Sequence, residues 1–120
     1  MSLIRTINPD FCYNDDRGSL VQLVHEGYKQ VNVITSKAGA QRGGHYHKDN
    51  DESFYVISGA LRLDAYCDNE SESREFYAGD FFGVGSNTSH SFTFLKDTIL
   101  VSMYSHGVEH EDGTKDIFND

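Results

Sequence analysis

A chain of 120 residues with 19 acidic and 10 basic side chains carries a formal charge of −9, a field that repels nucleic acid phosphates and anionic lipid headgroups. Eight Phe, seven Tyr and 38% hydrophobic residues supply a core, which excludes disorder. Apolar runs as short as residues 54–57 exclude a membrane-spanning segment, and the length fits a single domain over residues 1–120.

The opening MSLIRTINPD lacks an apolar stretch followed by a small-residue cleavage site, so a cytoplasmic location is expected. Nine β-rich runs then follow, at residues 19–24, 30–35, 44–47, 53–57, 61–66, 74–77, 80–84, 89–95 and 98–104. Turn-forming clusters separate them at residues 37–39, 48–51, 58–59, 67–73, 78–79 and 85–88. Eleven Gly, one Pro and no apolar stripe at helical spacing predict an all-β sandwich or small barrel, with at most a short helical turn at a terminus. Cys12 and Cys67 are too few for a disulfide framework or a thiolate cage and read as structural filler.

Period-two alternation assigns the faces. Glu52 shares a face with Phe54 and Val56, while Ser53, Tyr55 and Ile57 share the other. The same parity joins His90 to Phe92 and Phe94, and His45 to His47. Two imidazoles at i and i+2 on a strand stand about 6 to 7 Å apart at Cα, close enough to reach one cation. Glu52 follows after a turn and His90 after a Gly-rich segment, so three nitrogens and one oxygen are available to a divalent Zn, Fe, Mn, Ni, Co or Cu ion.

Gly39, His45-x-His47, Glu52 and Gly59 resemble the first motif of the cupin superfamily without a mismatch, and Gly79 to His90 resembles the second. The second departs at Gly85, where the pattern has proline, at Asn87, where it has glycine, and at Phe94, often asparagine. The resemblance implies a double-stranded β-helix, the jelly-roll-like cupin barrel, with His45, His47, Glu52 and His90 as metal ligands inside it.

Two further strings, Asp15-Asp16-Arg17-Gly18-Ser19-Leu20 and Arg42-Gly43-Gly44-His45-Tyr46-His47-Lys48, resemble small cupins that isomerise or epimerise nucleotide-linked deoxy sugars. Those are the dTDP-4-keto-6-deoxyhexose isomerases, which typically lack a metal, and the cupin domain of capsular polysaccharide reductases. Glu52 completes a ligand set more like the latter. The resemblance implies proton abstraction beside a ketone in cell-surface polysaccharide biosynthesis, with the enolate charge stabilised by the metal. A metal-bound histidine has its lone pair occupied, which leaves Tyr104, Tyr55, Tyr46, His25 and His106 as acid or base candidates. Arg42 and Lys48 flank the histidines and are expected, with Arg17, to hold the sugar-linked phosphates, although Asp-Arg-Gly is also simple turn chemistry. The charge of −9 opposes a dianionic ligand unless these cations gather at the barrel mouth. Alternatives are a metal-dependent dioxygenase or hydrolase of a small molecule, and a carbohydrate-binding cupin without turnover. Unpaired sheet edges predict a homodimer.

Overall fold

Alternating apolar and polar residues lead to strands, and the computed structural model, which describes residues 2–119, contains no α-helix among them. In chain order the strands are β1 (Ile4–Thr6), β2 (Phe11–Asp15), β3 (Gly18–Gln22), β4 (Gln30–Ser36), β5 (Gln41–Tyr46) and β6 (Glu52–Ser58). Then come β7 (Ala60–Cys67), β8 (Glu70–Tyr77), β9 (Phe81–Val84), β10 (Ser89–Phe94), β11 (Thr98–Tyr104) and β12 (Phe118–Asn119). Two five-stranded antiparallel sheets, ordered β1-β9-β6-β11-β4 and β12-β5-β10-β7-β8, form the barrel, and β2 pairs with β3 as a separate hairpin. This is the all-β double-stranded β-helix that the motifs imply. No helix among the described residues is long and apolar enough to cross a membrane.

The inner faces meet in a core that includes Phe54, Val56, Leu61, Leu63, Phe76, Phe82, Phe94 and Leu100. Each such side chain contributes about 1.5 to 3 kcal/mol by leaving water. Phe76 and Phe82 stack with ring centroids 3.8 Å apart, and Phe54 meets Phe92 edge to face at 4.9 Å. The predicted parity of β6 and β10 holds: Glu52, Phe54 and Val56 are buried together, as are His90, Phe92 and Phe94. Ser53 is buried as well, on the opposite face, because the Tyr28 hydroxyl covers and hydrogen-bonds it.

All nine predicted runs fall on strands, while β1, β2 and β12 were not predicted. The turn expected over residues 67–73 is a correction: β8 begins at Glu70, and the connection shrinks to Asp68 and Asn69, with Asp68 at φ 55°. The polar composition there belongs to an edge strand facing solvent, where charges block pairing with another chain. Both cysteines are free thiols, and Cys12 lies exposed on β2 rather than filling the interior.

Candidate functional site

Strand register delivers the four predicted ligands to one point. On β10, His90 lies opposite His45 of β5, and on β6, Glu52 lies opposite Tyr104 of β11. A bulge adjusts the first pairing: Gly43 and Gly44 have φ of 100° and 78°, and the register shifts between His90 and Ser91. A Cβ on Gly43 would stand 2.6 Å from the His90 carbonyl oxygen, so only glycine lets β5 approach β10 this closely. The bulge returns His45 to the inner face that His90 and Phe92 occupy.

His47, Glu52 and His90 are each no more than 3% exposed, and His45 is half-buried. One ligand atom from each of the four lies within 4.8 Å of every other. A cation bound at about 2.0 to 2.2 Å spans up to about 4.4 Å between opposite ligands, so the group closes on one ion with shifts of a few tenths of an ångström. Both His47 Nε2 and His90 Nε2 stand 3.1 Å from Glu52 Oε1. The rings form a tight set: His45 is 5.0 Å from His47 and 4.9 Å from His90, centroid to centroid, with Phe54 at 6.0 Å from His90 as an apolar floor.

Burial alone disfavours both charges, yet the pair wins. Burial lowers the His47 imidazolium, but hydrogen bonds to Glu52 and to the Asp116 carbonyl leave it above its ordinary value. Burial likewise raises the Glu52 carboxyl, and the hydrogen bonds from His47 and His90 bring it below its ordinary value. No Lys or Arg partner is paired with this buried carboxylate among the described residues, so imidazoles supply its compensation. Three nitrogens and one anionic oxygen, buried and convergent, fit a divalent transition metal.

Tyr104 completes the cluster. Its ring sits 5.2 Å from His47, edge on, and burial followed by the nearby Glu52 carboxylate pushes its phenol far above the ordinary value. Two residues back on the same inner face, Ser102 has a buried hydroxyl with no hydrogen-bond partner among the described residues. Leaving such a group unsatisfied costs about 1 to 3 kcal/mol.

The other predicted residues lie elsewhere. Tyr55 points to the outer face of β6, against Phe81, as its parity requires. His106 is exposed and bonded to Ser105 Oγ, and His25 is exposed and paired with Asp10 at 2.7 Å. Tyr46 stacks on Phe118, over whose ring the Lys48 ammonium also lies at 4.3 Å. Arg17 pairs with Asp15 in the β2-β3 turn, so its local role is turn chemistry. Arg42 donates to Ser36 Oγ and to the Thr35 carbonyl, and lines a cavity of about 630 Å³ with Ser58, Thr98 and Ile99. Those residues end β6 and begin β11, at the opposite ends from Glu52 and Tyr104, so this cavity is distinct from the imidazole cluster.

Asn87 resolves one departure from the cupin pattern. It stands at φ 62°, the left-handed conformation that asparagine tolerates in place of glycine, and its N–H donates to the His47 carbonyl at 2.6 Å. Two residues escaped the sequence reading, Asn50 and Asp116, both at most 1% exposed. No local pattern marks them, because their partners are more than fifty residues away.

Comparison with known proteins agrees with this geometry. The family described as the polysaccharide biosynthesis C-terminal domain matches residues 13–111. A UDP-2-acetamido-2,6-beta-L-arabino-hexul-4-ose reductase from Pseudomonas aeruginosa is 30% identical over 76 residues, covering 62% of this chain and 18% of that protein. The chain therefore spans about a fifth of the length of the curated relative it matches. Among solved structures, a mutant 3,4-ketoisomerase from Thermoanaerobacterium thermosaccharolyticum, in complex with TDP-4-keto-6-deoxyglucose, superposes with a TM-score of 0.81. It is 18% identical and covers 100% of this chain and 89% of its own. The capsular polysaccharide assembling protein CapF from Staphylococcus aureus gives 0.64 at 23% identity, covering 91% of this chain and 33% of its own. An rmlC epimerase from Mycobacterium tuberculosis gives 0.72 at 18% identity, covering 86% and 63%. At these identities the likeness establishes the cupin-type fold.

Proposed function

The chain belongs to the polysaccharide biosynthesis C-terminal domain family, and from that premise we propose that it isomerises or epimerises a nucleotide-linked 4-keto-6-deoxy sugar in cell-surface polysaccharide biosynthesis. The observation that carries the reading is the buried meeting of His45, His47, Glu52 and His90 beside the Tyr104 phenol. The sugar-nucleotide specificity of the relatives, named above for the UDP-sugar reductase and the ketoisomerase, supports the substrate class.

His45, His47, Glu52 and His90 would hold a divalent cation, with Zn, Fe, Mn, Ni, Co and Cu all compatible with the donor set. When bound, such a cation supplies a Lewis acid that stabilises negative charge developing on a ketone oxygen. Tyr104 stays protonated across the neutral range with its phenol hydrogen-bonded to Glu52, so it would act by turning that donor to the ketone oxygen and not as the base. Phe54 and Phe92 close the floor and exclude water from the reacting centre.

A second reading draws on the same distances. In a metal-free site, Glu52 favours the protonated form of His47 through the 3.1 Å contact, and the half-buried His45 is the imidazole placed to exchange a proton with the sugar. Elemental analysis of protein purified without added metal separates the two.

Incubation with dTDP- and UDP-linked 4-keto-6-deoxy sugars in deuterium oxide is expected to place deuterium on the carbon next to the ketone. Absence of exchange with every such substrate overturns the isomerase reading. Oxygen uptake after iron loading would instead favour a dioxygenase, and tight binding of a neutral sugar without exchange a binding module.

A homodimer is part of the same proposal. Phe11, Tyr13 and Leu20 are at least half exposed on a two-stranded hairpin that has no core of its own, and Val31 and Val33 are exposed on edge strand β4. A second copy of the chain would cover both surfaces.

A further inference from the structure

Residues beyond β11 return to the site and touch His47, the second histidine of the first motif. After Tyr104 the chain crosses back over the turn joining His47 to Glu52, and β12 then pairs with β5, placing Phe118 opposite Tyr46 and Asn119 opposite His45. Asp116, wholly buried, is the centre of this strap. Its carbonyl accepts from His47 Nδ1 at 2.6 Å. Its carboxylate accepts from the backbone N–H of Lys48 at 2.8 Å, that of Asp49 at 2.9 Å, and Asn50 Nδ2 at 2.8 Å. Asn50 fixes the other end of the strap. Its Oδ1 accepts from the His106 and Gly107 N–H groups at 2.8 and 2.9 Å, and its Nδ2 also donates to the Gly107 carbonyl at 2.9 Å.

We propose that Asp116 is a positioning residue for His47, and that docking of the strap formed by residues 105–119 sets the affinity of the four-residue site for a divalent cation. An imidazole can present Nε2 to a cation only if Nδ1 carries the proton, and a carbonyl at 2.6 Å imposes that arrangement and the ring orientation together. The carboxylate separately ties down the turn between His47 and Glu52 by accepting two of its backbone N–H groups, and so fixes the distance between two ligands.

This inference rests on the metal-site reading, and its test keeps the two apart. The first measurement uses metal-free, mildly acidic protein, so it stands whether or not metal binds. The His47 Nδ1–H proton is expected to give a slowly exchanging downfield resonance in the wild type, and to exchange at least about tenfold faster in Asp116→Asn, whose amide turns a donor toward the Lys48 or Asp49 N–H. An unchanged exchange rate overturns the positioning role. The second measurement is zinc affinity by competition with a chromophoric chelator. Asp116→Asn is expected to bind zinc about 10- to 100-fold more weakly than the wild type. Asp112→Asn, an exposed change within the same strap, is expected to bind like the wild type. Equal affinity of Asp116→Asn and wild type overturns the strap's role, whereas failure of the wild type to bind zinc or nickel overturns the metal reading and leaves the proton measurement to decide the positioning of His47. If Asp116→Asn does not fold, the wild type alone is decisive. Coupling is reciprocal, so zinc must slow amide exchange at Gly107, Val108 and Asp116. Unprotected amides refute the proposal.

Discussion

Glu52→Gln changes one atom type at the point where three predicted ligands meet, so it isolates charge from shape. In metal-free protein the carboxylate accepts from two imidazoles at 3.1 Å while only 3% exposed. Hydrogen bonds to a charged group are worth about 1.5 to 3 kcal/mol each, and the amide retains an acceptor for one of the two. Adding the weakened compensation of a buried imidazolium, the loss comes to about 3 kcal/mol, the lower end of the cost of breaking a buried pair. For a chain of this size that lowers Tm by roughly 10 °C. The pH profile is the sharper part. Glu52 sits below its ordinary value of 4.5, so its contribution is present above that value and lost as pH falls through the depressed one. His47 sits above its ordinary value of 6.5, so its contribution is full below that value and lost as pH rises through the raised one. The deficit of Glu52→Gln is therefore greatest in mildly acidic solution and shrinks toward alkaline pH. Urea unfolding of metal-free wild type and variant over that range measures it. Zinc competition on the same proteins is expected to show a loss beyond about 100-fold, since outer partners alone account for 10- to 100-fold. A deficit below about 1 kcal/mol, or one independent of pH, refutes the charge-pair account.

Zinc affinity of the wild type is expected to fall as pH drops below the raised His47 value, with proton release on binding; calorimetry in buffers of different ionisation enthalpy reads the released proton, and a pH-independent affinity contradicts the assignment of His47 as a ligand. Gly43→Ala places a Cβ 2.6 Å from the His90 carbonyl at a φ of 100°, and is expected to cost at least about 2 kcal/mol in denaturant unfolding and to weaken zinc binding by separating β5 from β10. Ser102→Ala removes an unsatisfied buried hydroxyl, so the protein should gain up to about 1 kcal/mol in urea unfolding; a loss of stability instead would show that the hydroxyl is already satisfied. Tyr104→Phe is expected to slow deuterium exchange by about 10² to 10⁴-fold with the fold retained, measured by mass spectrometry of recovered substrate.

Local pattern was enough for eight of the ten strands that build the barrel and for the four clustered residues. A side chain's face on a strand depends only on its position along that strand, so Glu52 with Phe54 and His90 with Phe92 could be placed inward before any tertiary contact was known. Glycine at positions 43 and 44 was visible, but the register shift it permits was not, because a bulge is a property of two paired strands. The cation expectation fared differently. Arg42, Lys48 and Arg17 are near the histidines or the opening hairpin in sequence, yet each engages a different partner: Ser36 with Thr35, the Phe118 ring, and Asp15. Nearness along the chain does not determine where a long, flexible side chain ends.

What the amino-acid order determined unaided was most of the strands and which way their residues face, since both follow from a two-residue period. Tertiary structure alone decided that Asp116 sits beneath His47 and that Asn50 anchors the strap, for those hydrogen bonds join groups 69 and 57 residues apart. A contact of that separation is selected by the closing of the whole barrel and has no periodic trace in the residues that make it.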